Sequence, residues 1–97
     1  MAAVKVRWTR LAAEDLASAY DYIAAQNPSA ARRVVNRIES ALGALRAHPE
    51  IGRPGRVEGT RELVIAGTPF ILPYRLARKR IEILALIHSA RRWPESF

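Results

Sequence analysis

The chain contains no cysteine, so neither disulfide staples nor thiolate metal sites can contribute to it. That composition suits a reducing compartment. Histidine is scarce: His48 and His88 stand forty residues apart, and no carboxylate cluster has the spacing of a metal-ligand set. No glycine-rich loop opens a helix in the way a phosphate cradle requires, because Gly52, Gly55 and Gly59 lead into a strand-like segment. Serine has neither a nucleophile elbow nor a base-and-orienter pair around it. No uncharged apolar run is long enough to span a bilayer, and Met1 to Arg10 lacks the apolar stretch of a secretory signal. Internal repeats, linkers and low-complexity tracts are also missing. These absences together lead us to expect a cytoplasmic protein with no metal, no organic cofactor and no membrane partner.

What is present is a chain of ordinary globular composition, 49% hydrophobic and 26% charged, with a strong excess of base. Its 97 residues suffice for one domain, residues 1–97, with one modest core. The net charge is +7, of which residues 51–97 carry +5. Such a field raises the encounter rate with acidic surfaces, whether nucleic acid or protein, without choosing between them.

Local signals divide the chain into elements. Val4-Lys5-Val6-Arg7-Trp8 alternates apolar and basic side chains, the period of a half-buried strand. Thr9 offers a helix N-cap, with Glu14 and Asp15 early in the helix that follows. Ala12, Leu16, Ala19, Tyr20 and Ile23 recur at helical spacing and form one apolar stripe. Asn27-Pro28 then reads as the cap and first residue of a second helix, buried along Ala31, Val34, Val35, Ile38, Leu42 and Leu45. Pro49 stops it near His48. Two helices joined this tightly form an antiparallel hairpin.

The stretch 49–60 reads as a loop, with two prolines and three glycines. Three strands follow: Thr60–Ala66, Phe70–Ala77 after a Gly67-Thr68-Pro69 turn, and Ile81–His88 after a basic Arg78-Lys79-Arg80 tip. In the first, Leu63 and Ile65 share a face with Arg61, opposite Glu62 and Val64. The last is apolar on both faces, with Ile81, Ile83 and Ile87 on one and Leu84 and Leu86 on the other, which predicts an interior position. Pro73 cannot donate to a ladder and predicts an edge or a bulge. Ser89 to Phe97 is a short basic and aromatic tail. The fold class is α+β: an N-terminal strand, and a two-helix hairpin packed on one face of a mainly antiparallel four-stranded sheet whose other face is open.

Of the chemistry that remains, most rests on arginine. Metal-free RNA cleavage needs a base, an acid and cations for the phosphorane charge. Arg61, Arg75, Arg91 and Arg92 are the candidate cations, and His88 is the one nearby side chain that titrates in the right range. Depending on register, Arg61 and Arg75 could both project from the open sheet face, or instead pair with Glu62 or Glu82. His88 ends an apolar strand, which also suits a ring fixed by packing. Trp93 either forms a cation–aromatic contact surface with Arg91 and Arg92 or folds back to cover the core.

Trp8, Asp15-Leu16, Tyr22-Ile23, Pro49-Glu50-Ile51-Gly52-Arg53, Gly59-Thr60-Arg61-Glu62-Leu63, Pro73-Tyr74-Arg75 and His88-Ser89-Ala90-Arg91-Arg92-Trp93-Pro94, in this order, resemble the RelE/ParE toxin superfamily. The resemblance covers nearly the whole chain. It implies two helices on an antiparallel sheet and the toxin half of a bacterial type II toxin–antitoxin pair, a hetero-oligomer with its cognate antitoxin. RelE-type members cut messenger RNA on the ribosome, with basic side chains on the sheet and a Tyr or His near the C-terminus; ParE-type members bind and poison DNA gyrase. Here the last tyrosine is Tyr74, the tail offers Trp93 and Phe97, and the lysine-rich loop of the ribosomal enzymes is replaced by a region carrying Arg53 and Arg56. The helical hairpin and Ala-Arg-Arg-Trp tail resemble ParE. The expectation is a non-enzymatic gyrase inhibitor that binds target or antitoxin through Arg61, Arg75, Arg91, Arg92 and Trp93. The alternatives are a ribosome-dependent nuclease, whose site would draw on Arg61, Arg75, His88 and Arg91, and a non-toxic basic nucleic-acid-binding module.

Overall fold

The computed structural model describes residues 4–90, 93, 94, 96 and 97. In order, the elements are β1 (Lys5–Trp8), α1 (Arg10–Gln26), α2 (Pro28–Ala47), β2 (Arg53–Pro54), β3 (Arg61–Val64), β4 (Phe70–Ala77), β5 (Arg80–Ile83) and β6 (Ile87–His88). Both helix starts follow from their caps. Thr9 Oγ1 accepts from the Ala12 N–H at 3.2 Å, and Asn27 Oδ1 accepts from the Ala30 N–H at 3.1 Å. Asn27 also ends α1, donating its own N–H to the Ile23 carbonyl, so one residue closes one helix and opens the next. Glu14 and Asp15 lie beyond the first turn of α1, where the dipole has faded. They serve other partners: Glu14 pairs with exposed Arg10, and Asp15 reaches Leu86.

The strands run β1-β5-β4-β3-β2, with β6 also on β4. The sheet is mainly antiparallel, as expected, with one parallel pairing, β1 with β5; it has six strands among the described residues and not four, because the 49–60 segment contributes β2 and the last predicted strand is divided in two. The helices cover one face. Ile38, Leu42 and Leu45 from α2 and Ala12 from α1 meet Ile65, Leu72, Tyr74, Ile81 and Ile83 in a continuous core. Each fully buried Leu or Ile there contributes about 1.5–3 kcal/mol. The α1 stripe is narrower than its periodicity predicts: Leu16, Ala19 and Ile23 pack against the core, whereas Tyr20 is exposed.

Pro73 occupies a central strand and is accommodated by a bulge. Leu84 N–H donates to the Pro73 carbonyl, and the next registered pair toward the start of β4 is Ile71 with Ile87. Two steps along β4 therefore oppose three on the other strand. The nitrogen that proline leaves without a hydrogen points to this same side, so the ladder breaks where it has no donor to offer. The predicted strand over residues 81–88 is consequently split into β5 and β6. The extra residue inverts the alternation: Ile83 stays on the helix face opposite Tyr74, while Ile87 lies opposite Ile71 on the other face.

Candidate functional site

Register separates the two sheet arginines. Arg61 is paired with Tyr74 and Arg75 with Glu82. Tyr74 and Arg75 are consecutive, so their side chains leave opposite faces, and Arg61 leaves with Tyr74. Of the arrangements the sequence left open, this one-residue offset selects the one in which Arg61 and Arg75 leave opposite faces, with Arg75 paired to Glu82. Arg61 is engaged in holding the loop after α2. Its Nη1 donates to the carbonyls of Gly52 at 2.8 Å and Glu50 at 3.1 Å. Beside it, the Tyr74 hydroxyl donates to the Pro49 carbonyl at 2.8 Å and accepts from the Gly52 N–H at 2.9 Å. A Cβ on Gly52 would meet Tyr74 ring and hydroxyl atoms at 2.6 Å, so the loop closes this tightly only over glycine. Tyr74 is fully buried, and burial above all pushes its hydroxyl pKa up, against the lowering effects of the Gly52 N–H and the Arg61 charge.

The open face carries the basic field. Arg7, Glu82 and Arg75 form one cross-strand row, and Lys5, Arg80 and Ala77 the next. Glu82 answers two of the four cations, lying 3.2 Å from Arg75 and 3.5 Å from Arg80. Arg75 is half exposed, so this pair contributes at most about 1 kcal/mol and leaves the guanidinium accessible.

Toward β2 the same face holds Glu62, a carboxylate with a side chain only 3% exposed. Its Oε1 accepts from Arg53 (Nε 3.1 Å, Nη2 3.0 Å); its Oε2 accepts from the Arg56 N–H at 2.8 Å. Arg56 in turn lays its guanidinium 3.7 Å from the centre of the Trp93 ring. Trp93 is half-buried, its cation partner is Arg56, and its indole Nε1 has no hydrogen-bond partner among the described residues. Arg91 and Arg92 lie outside the described residues. The buried Glu62 network had no sequence signal beyond the proximity of opposite charges.

His88 stands apart from both arginines. It is opposite Phe70, and the two rings meet edge to face at 5.7 Å. Its Nδ1 accepts from the Ala90 N–H at 3.1 Å. It borders a groove of about 570 Å³ between α1 and β6, walled by Leu11, Tyr22, Ile23, Phe70 and Leu86. Among the described residues no group of three His, Cys, Asp or Glu side chains is placed to hold a metal ion, and no helix is long and apolar enough to cross a membrane.

The fold and the sequence have counterparts among known proteins. The family described as the ParE toxin of the type II toxin–antitoxin system parDE matches residues 6–93. The Sinorhizobium fredii protein Y4kP, provisionally named a toxin, is 45% identical over 95 residues, covering 98% of each chain. A structure of the chromosomal ParDE system of P. aeruginosa superimposes with a TM-score of 0.77 at 34% identity, over 88% of this chain and 95% of that one. The toxin–antitoxin complex RelBE2 of Mycobacterium tuberculosis gives 0.63 at 30% identity, over 90% and 99%. A match across nearly all of the chain makes it a member of the ParE toxin family: it is a ParE-like toxin of a type II toxin–antitoxin system.

Proposed function

We propose that this toxin arrests DNA gyrase by binding it, performs no chemistry of its own, and is neutralised by a cognate antitoxin. The ParE match over residues 6–93 carries the reading. The geometry supports it, because among the described residues the groups that metal-free RNA cleavage would recruit do not converge. Arg61 and Arg75 leave opposite faces, Arg61 is committed to loop carbonyls, and His88 Nδ1 is taken by a backbone N–H. The contact surface is the basic open face, Arg75 among its residues, together with Arg91, Arg92 and Trp93.

A supercoiling assay with purified gyrase and purified toxin tests the target. Lost supercoiling or trapped cleavage complexes are expected. Normal supercoiling at large molar excess, together with ribosome-dependent messenger cleavage, would replace this reading with a nuclease. The double substitution Arg91→Ala, Arg92→Ala is expected to leave the melting temperature within a few degrees while weakening target binding at least tenfold. Unweakened binding would remove the tail arginines from the interface.

A further inference from the structure

The open sheet face has two unlike halves. Toward β2, Glu62 is nearly closed off between Arg53 and Arg56, and Trp93 lies on the Arg56 guanidinium. Toward β1 the cations stand uncovered. Lys5, Arg7, Arg75 and Arg80 are all exposed and occupy two adjacent cross-strand rows, with Glu82 as the one carboxylate among them. Glu82 reaches Arg75 and Arg80. Among the described residues Lys5 and Arg7 have no ion-pair partner, although Arg7 is in register with Glu82. Four cations against one carboxylate leave the patch at +3. None of the large exposed apolar side chains falls in either row. Leu76 leaves the helix face with Tyr74, and Val64 stands opposite Ile71, four positions along β4 from Arg75.

We propose that this half of the open face binds the sugar–phosphate backbone of duplex DNA, so that the toxin meets the DNA segment on which gyrase works. The choice of DNA rests on the reading of the chain as a gyrase inhibitor and names which part of the enzyme–DNA complex the face contacts. Composition selects nucleic acid over a protein partner. The centre of a protein interface is depleted of charge, whereas this patch has charge at its centre and no large exposed apolar group. Phosphate contacts are made by Arg and Lys side chains and need no apolar core. Spacing agrees with this. Lys5 and Arg7, two positions apart on one strand, stand about 6.6–6.8 Å apart along the backbone, the order of the separation between neighbouring phosphates on one nucleic-acid strand. Arg75 lies two strands from Arg7, roughly 10 Å across the sheet, so the array can engage several phosphates at once. Arg32 and Arg33 of α2 are exposed too, but as consecutive helical residues they diverge by about 100° and form no such array.

Fluorescence anisotropy of a short labelled duplex of arbitrary sequence, titrated with purified toxin in the absence of gyrase, tests the proposal. A dissociation constant of about 10⁻⁶–10⁻⁴ M is expected at physiological salt, rising with salt concentration as counterions are released. Lys5→Gln with Arg7→Gln breaks no ion pair among the described residues and should weaken binding at least fivefold. It should also flatten the slope of log K against log salt by roughly 2, at about 0.9 per phosphate contact. Arg32→Gln with Arg33→Gln removes the same charge from α2 and should weaken binding less than twofold. Equal losses from the two pairs would mean that only net charge is read, and would overturn the proposal. Arg75→Gln probes the same face from another strand and decides alone if the β1 pair fails to fold; unweakened binding would count against the patch. Competition by polyglutamate as effective as that by the duplex would assign the face to an acidic protein. Tighter binding of single-stranded RNA of the same length would assign it to RNA, and either result sinks the proposal. The supercoiling assay separates this inference from the reading beneath it. Arrested supercoiling without DNA binding by the toxin would remove the phosphate site and leave the gyrase reading; DNA binding with normal supercoiling would do the reverse.

Discussion

Tyr74→Phe isolates the clamp that joins the sheet to the loop after α2. The substitution keeps the ring and deletes the oxygen that bridges the Gly52 N–H and the Pro49 carbonyl. Gly52 is buried, so its N–H is left without a partner, at about 1–3 kcal/mol. Pro49 is half-buried and its carbonyl can turn toward water, while phenylalanine avoids the cost of burying a hydroxyl. The net loss is about 2 kcal/mol. For a chain of this size each kcal/mol moves the melting temperature by about 4–8 °C, so a drop of roughly 8–16 °C is expected in thermal unfolding. A difference below about 0.5 kcal/mol, the range of an ordinary surface change, would refute the clamp. A pH series sharpens the test. Burial raises the native Tyr74 pKa above its ordinary value of about 10, so the native state holds a proton that the unfolded state releases. The stability this hydroxyl contributes is complete below that value and is lost as pH rises through the raised pKa. The gap between wild type and Tyr74→Phe should therefore narrow above pH ~10, as the other titrating groups cancel between the two proteins. A gap that widens would reverse the assigned direction.

The remaining predictions concern single residues. Lys79 sits at φ 58 in the left-handed region, and Lys79→Gly should stabilise by about 1 kcal/mol, read as a melting temperature several degrees higher; a decrease would show that the tip is not strained. Glu62→Gln turns an amide N–H₂ toward the arginine donors in a nearly closed site and should cost about 2–3 kcal/mol in urea unfolding, whereas an unchanged midpoint would mean that the network contributes nothing. His88→Gln gives up the ring contact with Phe70 and should cost about 0.5–1.5 kcal/mol; an unchanged melting temperature would show a ring that is not fixed by packing.

The sequence by itself determined the parts whose causes lie within a few residues. Thr9, Asn27-Pro28 and Pro49 act on backbone groups three or four positions away, so both helices and the turn between them could be read directly. The periodic apolar positions of α2 named its buried face for the same reason, and the order of motifs was enough to suggest the family. Pro73 announced that the ladder would be disturbed but could not say how. Tertiary structure decided the rest, through contacts that span most of the chain: Thr9 to Ile83, Asp15 to Leu86, Tyr74 to Pro49 and Gly52. The site depended on register, and register has a period of two, so a single residue of offset or one bulge moves a side chain to the other face. That is why Arg61 and Arg75 look equivalent in the sequence yet serve a loop and an open surface, and why Ile87 left the face of Ile83. Only the pairing of distant strands carries that one residue of information.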